Sequence, residues 1–122
     1  MITQQTITAT VAAGATTATA DTSFIGGEIL KVSFDVTGNS MDINLDSIGE
    51  QVAQAIIDYT GNTDSVFYPR VASQDNAGTT LKYLSTDTAT VGVPFVVYGT
   101  LRLTLASAAA AETVTMTITY RT

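Results

Sequence analysis

Apolar residues along this chain recur at every second position far more often than at the 3.6-residue period of a helix. Near the start, Ile7, Ala9 and Val11 alternate with Thr6, Thr8 and Thr10. A Thr/Ala/Gly stretch from Ala12 to Thr22 follows, readable as an extended arm or a loose edge strand. The chain turns at Gly26-Gly27. Beyond it, Leu30, Val32, Phe34 and Val36 share one face, and Lys31, Ser33, Asp35 and Thr37 the other. Thr37-Gly38-Asn39-Ser40 has turn chemistry. Met41, Ile43 and Leu45 then alternate with Asp42, Asn44 and Asp46. Residues 28–46 therefore read as a hairpin.

Residues 47–59 fit two patterns. Ser47 to Glu50 has capping-box spacing, and Val52, Ala55, Ile56 and Tyr59 fit a helical face. Ala53, Ala55, Ile57 and Tyr59 also alternate as a strand does, and the sheet-rich surroundings favour strand. Thr60-Gly61-Asn62-Thr63 is a further turn. A short apolar run from Val66 to Val71 is interrupted by Pro69, which suits an edge or a bend. Asp75-Asn76-Ala77-Gly78 marks a turn and Leu81 to Leu84 a short strand. Pro94 heads Phe95-Val96-Val97-Tyr98. Two clear strands close the chain. In the first, Leu101, Leu103 and Leu105 alternate with Thr100, Arg102 and Thr104. In the second, Val114, Met116, Ile118 and Tyr120 alternate with Thr113, Thr115, Thr117 and Thr119. The connector Ala106 to Glu112 reads as a loop whose length suits an antiparallel pair.

Short strands with regular turn signals predict an all-β fold: an antiparallel β-sandwich, jelly-roll or Ig-like, of about seven to nine strands. At 122 residues one domain is expected. Residues 1–23 form its Thr/Ala-rich N-terminal strand or arm, and residues 24–122 the sandwich proper.

Composition narrows the function. Charged residues are 13% of the chain, about half the usual share, and Thr fills much of the gap. There is no Cys, which excludes disulfides, thiolate metal sites and a cysteine nucleophile. The absence of His removes the commonest general base and metal ligand. Net charge is −6, and Lys31, Arg70, Lys82, Arg102 and Arg121 are scattered, so nucleic acid is not an expected partner. Met1 to Thr6 has neither a positive nor an apolar signal region, and no stretch approaches a membrane span; no membrane partner is expected.

Candidate chemistry is sparse. Asp42-x-Asn44-x-Asp46 opens like a calcium loop, but Ser47 stands where Gly is required and Ala53 where Glu is. Asp42 and Asp46, about 13 Å apart at ~3.3 Å per residue, are too distant for a glycosidase pair. Neither Lys31 nor Lys82 lies in a serine-activating motif. Gly26-Gly27 leads into a strand, not into a phosphate-binding helix. The chain is therefore expected not to be an enzyme, with no catalytic residue, cofactor or metal. Phe67-Tyr68-Pro69-Arg70 is the most distinctive string: Phe67, Tyr68 and Arg70 are interface candidates, weighed against Phe67 packing inward and Arg70 simply being solvated. The alternating Thr faces of 113–121, carrying Thr113, Thr115, Thr117 and Thr119 as interface candidates, and of 6–10 are flat and uncharged. A free edge of that kind invites pairing with other chains.

Taken in order, several pieces resemble small structural proteins of tailed bacteriophages. They are Gly26-Gly27-Glu28-Ile29-Leu30-Lys31-Val32, then Phe67 to Val71, then Gln74 to Thr79. Gly99 to Leu105 follows, and after a small-residue connector the Thr/Val strand Glu112 to Tyr120. The likeness spans about residues 24–121, and the 47–59 segment departs from it. It implies a virion component assembled in the bacterial cytoplasm, with a sandwich fold and no catalytic residues. The expected role is a multicopy capsid decoration or cement protein, homo-oligomeric and contacting other virion proteins, chiefly the major capsid protein. Neck, tail or fibre placement, with receptor or carbohydrate binding, is the alternative. A ligand-binding head would need exposed tyrosines, for which Tyr59, Tyr68, Tyr83 and Tyr98 are the candidates.

Overall fold

Residues 1–82 and 89–122 are described by a computed structural model. Among them there is no helix, and ten strands are present: β1 Ile2–Thr10, β2 Ala18–Asp21, β3 Ile25–Thr37, β4 Met41–Ile48, β5 Ala55–Gly61, β6 Ser65–Phe67, β7 Arg70–Ala72, β8 Gly92–Pro94, β9 Val96–Ala106 and β10 Thr113–Arg121. All pairings are antiparallel. The all-β antiparallel sandwich expected from the alternation is the fold observed, with slightly more strands than the seven to nine anticipated. Residues 1–23 supply β1 and β2, both hydrogen-bonded into the body.

Strand order along the main sheet is β1-β10-β3-β9-β4-β5, with β2 beside β9 and β6 beside β3. The sheet folds into two layers because β9 changes partner. Val96 to Gly99 pairs with the start of β3, whereas Arg102 to Leu105 pairs with β2. One layer is thus β1-β10-β3-β6 and the other β2-β9-β4-β5, joined at one end through β3 and β9. Between them lie Ile25, Ile29, Val32, Phe34, Met41, Ile43, Leu45, Leu101, Leu103, Leu105, Val114, Met116 and Ile118, each at 3% exposure or less. Burying a branched side chain of this kind contributes about 1.5–3 kcal/mol, so the core is ample to order both layers.

Two sequence expectations fail at the level of strand partners. Residues 28–46 are not a hairpin: β3 pairs with β10, β9 and β6, while β4 pairs with β5 and β9. Likewise β9 and β10 belong to different layers, so Ala106 to Glu112 is an arch over the core and not the turn of an antiparallel pair. Period-two burial identifies which side chains point inward, and an inward face is equally served by a neighbour in the same layer or in the opposite one.

Two bulges adjust the phase. In β3 the register against β10 passes from Lys31 to Ile29, leaving Leu30 as the extra residue. Leu30 is accordingly half-buried, and Ile29 and Ile25 take the core positions expected of it. In β5 the extra residue is Ile56, which lets Ile56 and Ile57 both turn inward. The 47–59 segment is strand at both ends: β4 runs through Ile48, a bend follows, and β5 starts at Ala55. Val52 is exposed. The strand expected from Leu81 to Leu84 falls partly on residues 83–88, outside the described residues, and Tyr83 lies there too.

Candidate functional site: an apolar end and an open seam

Register places the starts of β1, β3, β5 and β9 and the ends of β4 and β10 at one end of the sandwich. Ile2 lies opposite Arg121, Arg121 opposite Glu28, and Glu28 opposite Val96. This end is unusually apolar outside. Tyr98 is 74% exposed, Val96 65% and Phe24 56%, whereas the outward faces of β1, β4 and β10 are mostly polar. Their grouping follows from local sequence. Phe95 and Val97 point into the core, so the adjacent Val96 and Tyr98 must point out, and the run has no polar member to place there. Opposite Tyr98 stands Gly26, whose missing side chain leaves room for the Phe24 ring. Phe24 meets Tyr98 edge-on, with centroids 4.8 Å apart and planes at 89°.

The bend after β4 is fixed against the same surface. The Glu50 carboxylate accepts the Tyr98 amide at 2.7 Å, the Gln54 side-chain amide at 2.9 Å and the Ser47 hydroxyl at 3.1 Å. Gln54 also donates to the Val96 carbonyl at 2.9 Å. These bonds, that of Gln54 foremost and then the Tyr98 amide, hold the Glu50 carboxyl below its ordinary pKa. The loop carrying exposed Val52 is thereby held against the start of β9. Met1 and Ile2 add exposed apolar surface at this end, and Tyr68, Val71 and Val93 do so where the β7–β8 hairpin leaves the body.

The sequence-derived candidates divide. Phe67 is half-buried and packs against Phe34 and Tyr59, with centroids 5.6 and 5.8 Å apart. Tyr68 is 64% exposed, Pro69 is buried and Arg70 is exposed, its guanidinium donating to the Pro69 carbonyl at 2.8 Å. Together with β5 they border a groove of about 340 Å³. Thr113, Thr115 and Thr117 face Thr10, Thr8 and Thr6 with hydroxyl contacts of 3.3, 3.1 and 2.9 Å, and Thr119 accepts from Gln4 at 3.1 Å. Of the two strands where a free edge was expected, 113–121 is not one, since β10 is paired on both sides, whereas β1, carrying residues 6–10, is the outer strand. The hydroxyl ladder therefore zips β1 to β10.

Of the remaining tyrosines, Tyr59 sits half-buried in the aromatic trio and Tyr120 is buried, its hydroxyl accepting from the Gln5 side-chain amide at 3.2 Å. Tyr98 was a candidate from the sequence as an exposed tyrosine and is exposed; Phe24 and Val96 were not singled out, although for Val96 an apolar run with no polar alternate was the signal.

On the outer face of the second layer, Arg102 pairs with Asp21 through two bonds of 2.8 and 3.0 Å. Asp46, across from Arg102 in register, is raised above its ordinary pKa by burial and, secondarily, by Asp58. Among the described residues no cluster of three or more metal-ligating side chains occurs. Geometry thus defines an all-β body with a sticky end. Comparison with family models, with curated proteins and with solved structures finds no match.

Proposed function

We propose that this chain is a structural subunit that works by burying its apolar end against other protein, as a multicopy accessory of a tailed-phage virion, in the first instance decorating or cementing the capsid. The observation that carries the reading is the concentration of exposed Phe24, Val96 and Tyr98 on one end of a body whose interior is already complete. Single exposed apolar residues are ordinary, but a contiguous group marks a contact surface, and aromatics are enriched at the centres of such contacts. The acidic balance suits an outer surface better than contact with packaged genome. The piecewise likeness to phage structural proteins supports the setting, and symmetric particles favour a homo-oligomer.

A receptor- or carbohydrate-binding head is less well supported. A sugar platform needs aromatic faces lying flat side by side, and Phe24 stands perpendicular to Tyr98.

The decisive experiment pairs solution mass with labelling. Sedimentation of the purified chain over a wide concentration range is expected to show reversible self-association, abolished by Phe24→Ser with Tyr98→Ser while the far-ultraviolet spectrum stays unchanged. Antibodies against the chain are expected to label phage particles encoding it at many sites. A chain that stays monomeric and labels no particle would refute the proposal.

A further inference from the structure

Along one side of the sandwich the two layers part without joining. β5 is the outermost strand of its layer and, among the described residues, pairs with β4 alone. β6 is the outer strand of the other layer on this side. The Phe34, Tyr59 and Phe67 rings close the upper half of the gap. The lower half stays open as the groove of about 340 Å³, floored by Ile56, Ile57 and Phe95, with exposed Asp58 and Arg70 at its rim.

Three features define what fits. First, the free edge of β5 presents backbone donors and acceptors: among the described residues, no hydrogen bond joins the backbone of 55–61 to anything besides β4. Such a row is matched by an extended backbone and by little else. Second, the floor is apolar and calls for an apolar side chain at alternate positions of that backbone. Third, the Arg70 guanidinium has no carboxylate within ion-pair distance among the described residues, so a carboxylate at the end of the incoming segment nearest Arg70 gains a partner.

We propose that this seam is a strand acceptor: an extended segment of another protein adds to β5, sets an apolar side chain into the groove and places an acidic residue beside Arg70. The proposal rests on the protein-contact reading above and narrows it, naming a second element of contact and the chemistry of its partner.

The test uses the full chain, isotope-labelled, titrated with the capped synthetic peptide Thr-Val-Thr-Leu-Thr-Val-Glu. Comparison peptides carry Lys for the terminal Glu, or Pro for the central Leu. Expected are saturable amide shifts over residues 55–60 and at Arg70, and slowed exchange of the outward β5 amides. The Lys peptide should bind about fivefold more weakly, as one rim charge pair predicts, and the Pro peptide should not bind. Arg70→Glu, on an exposed side chain, should reverse the Glu/Lys preference without unfolding the protein. Equal binding of all three peptides, no binding, or shifts centred on Phe24 and Tyr98 would overturn the strand acceptor. Self-association that persists while the peptides fail also removes it and spares the contact reading. Peptide binding by a chain that stays monomeric supports the groove and counts against the apolar end.

Discussion

Glu112 offers the sharpest test of how the two layers are held together at the end opposite the apolar surface. It lies in the arch between β9 and β10 at 8% exposure. One carboxylate oxygen accepts the Asn39 amide at 2.5 Å and the other accepts the Ala109 amide at 2.6 Å. A single side chain thus ties the arch to the β3–β4 connection, which crosses between the same two layers. The arch also holds Ser107 and Ala111 at φ 53° and 68°, a region that costs a non-glycine residue about 1–3 kcal/mol. Hydrogen bonds to a charged acceptor contribute about 1.5–3 kcal/mol each. Discounting for the water that reaches the freed amides, Glu112→Ala should lose about 3 kcal/mol. For a domain of this length that is a fall in Tm of about 10 °C. Glu112→Gln keeps one acceptor oxygen and should lose about 1 kcal/mol. Calorimetry or thermal circular dichroism reads both changes, and hydrogen exchange should speed up at Asn39 and Ala109 first. An alanine variant melting within about 2 °C of the parent, with both amides still protected, would refute the role given to this carboxylate.

Two further outcomes follow from the geometry. Gly27 has φ 152° and a Cβ there would overlap the Arg121 carbonyl across the β3–β10 pairing, so Gly27→Ala should lower the urea midpoint by an amount equivalent to about 2 kcal/mol or more, with the slope unchanged. Asp46 has a raised pKa, so the folded state holds its proton more tightly than the unfolded one. Its contribution therefore declines as pH rises from its ordinary value of 3.8 through the raised one. Asp46→Asn should remove that decline, and denaturant titrations at pH 3 and pH 7 should show the variant gaining relative to the parent at the higher pH.

Much of the core was legible because inward and outward residues differ sharply in β4, β9 and β10. Met41, Ile43 and Leu45, then Leu101, Leu103 and Leu105, then Val114, Met116 and Ile118 are buried as their alternation requires. Partners were not legible. The Thr37 to Ser40 turn is short enough for a hairpin, yet the chain uses it to cross between layers, a choice set by β9 and β10 arriving from far along the sequence. The bulges at Leu30 and Ile56 were hidden for a similar reason: an extra residue is visible only against the strand beside it. In the candidate site, Tyr68 and Arg70 stood out as an unusual string, whereas Phe24 and Tyr98 gain significance through Gly26, a neighbour across β3 and β9 that no local pattern reveals.

A strand that serves both layers, as β9 does, also governs how the body comes apart. Neither layer can peel away without disturbing the other, since four residues of this eleven-residue segment pair with β3 and the other seven with β4. Loss of order should therefore be all-or-none.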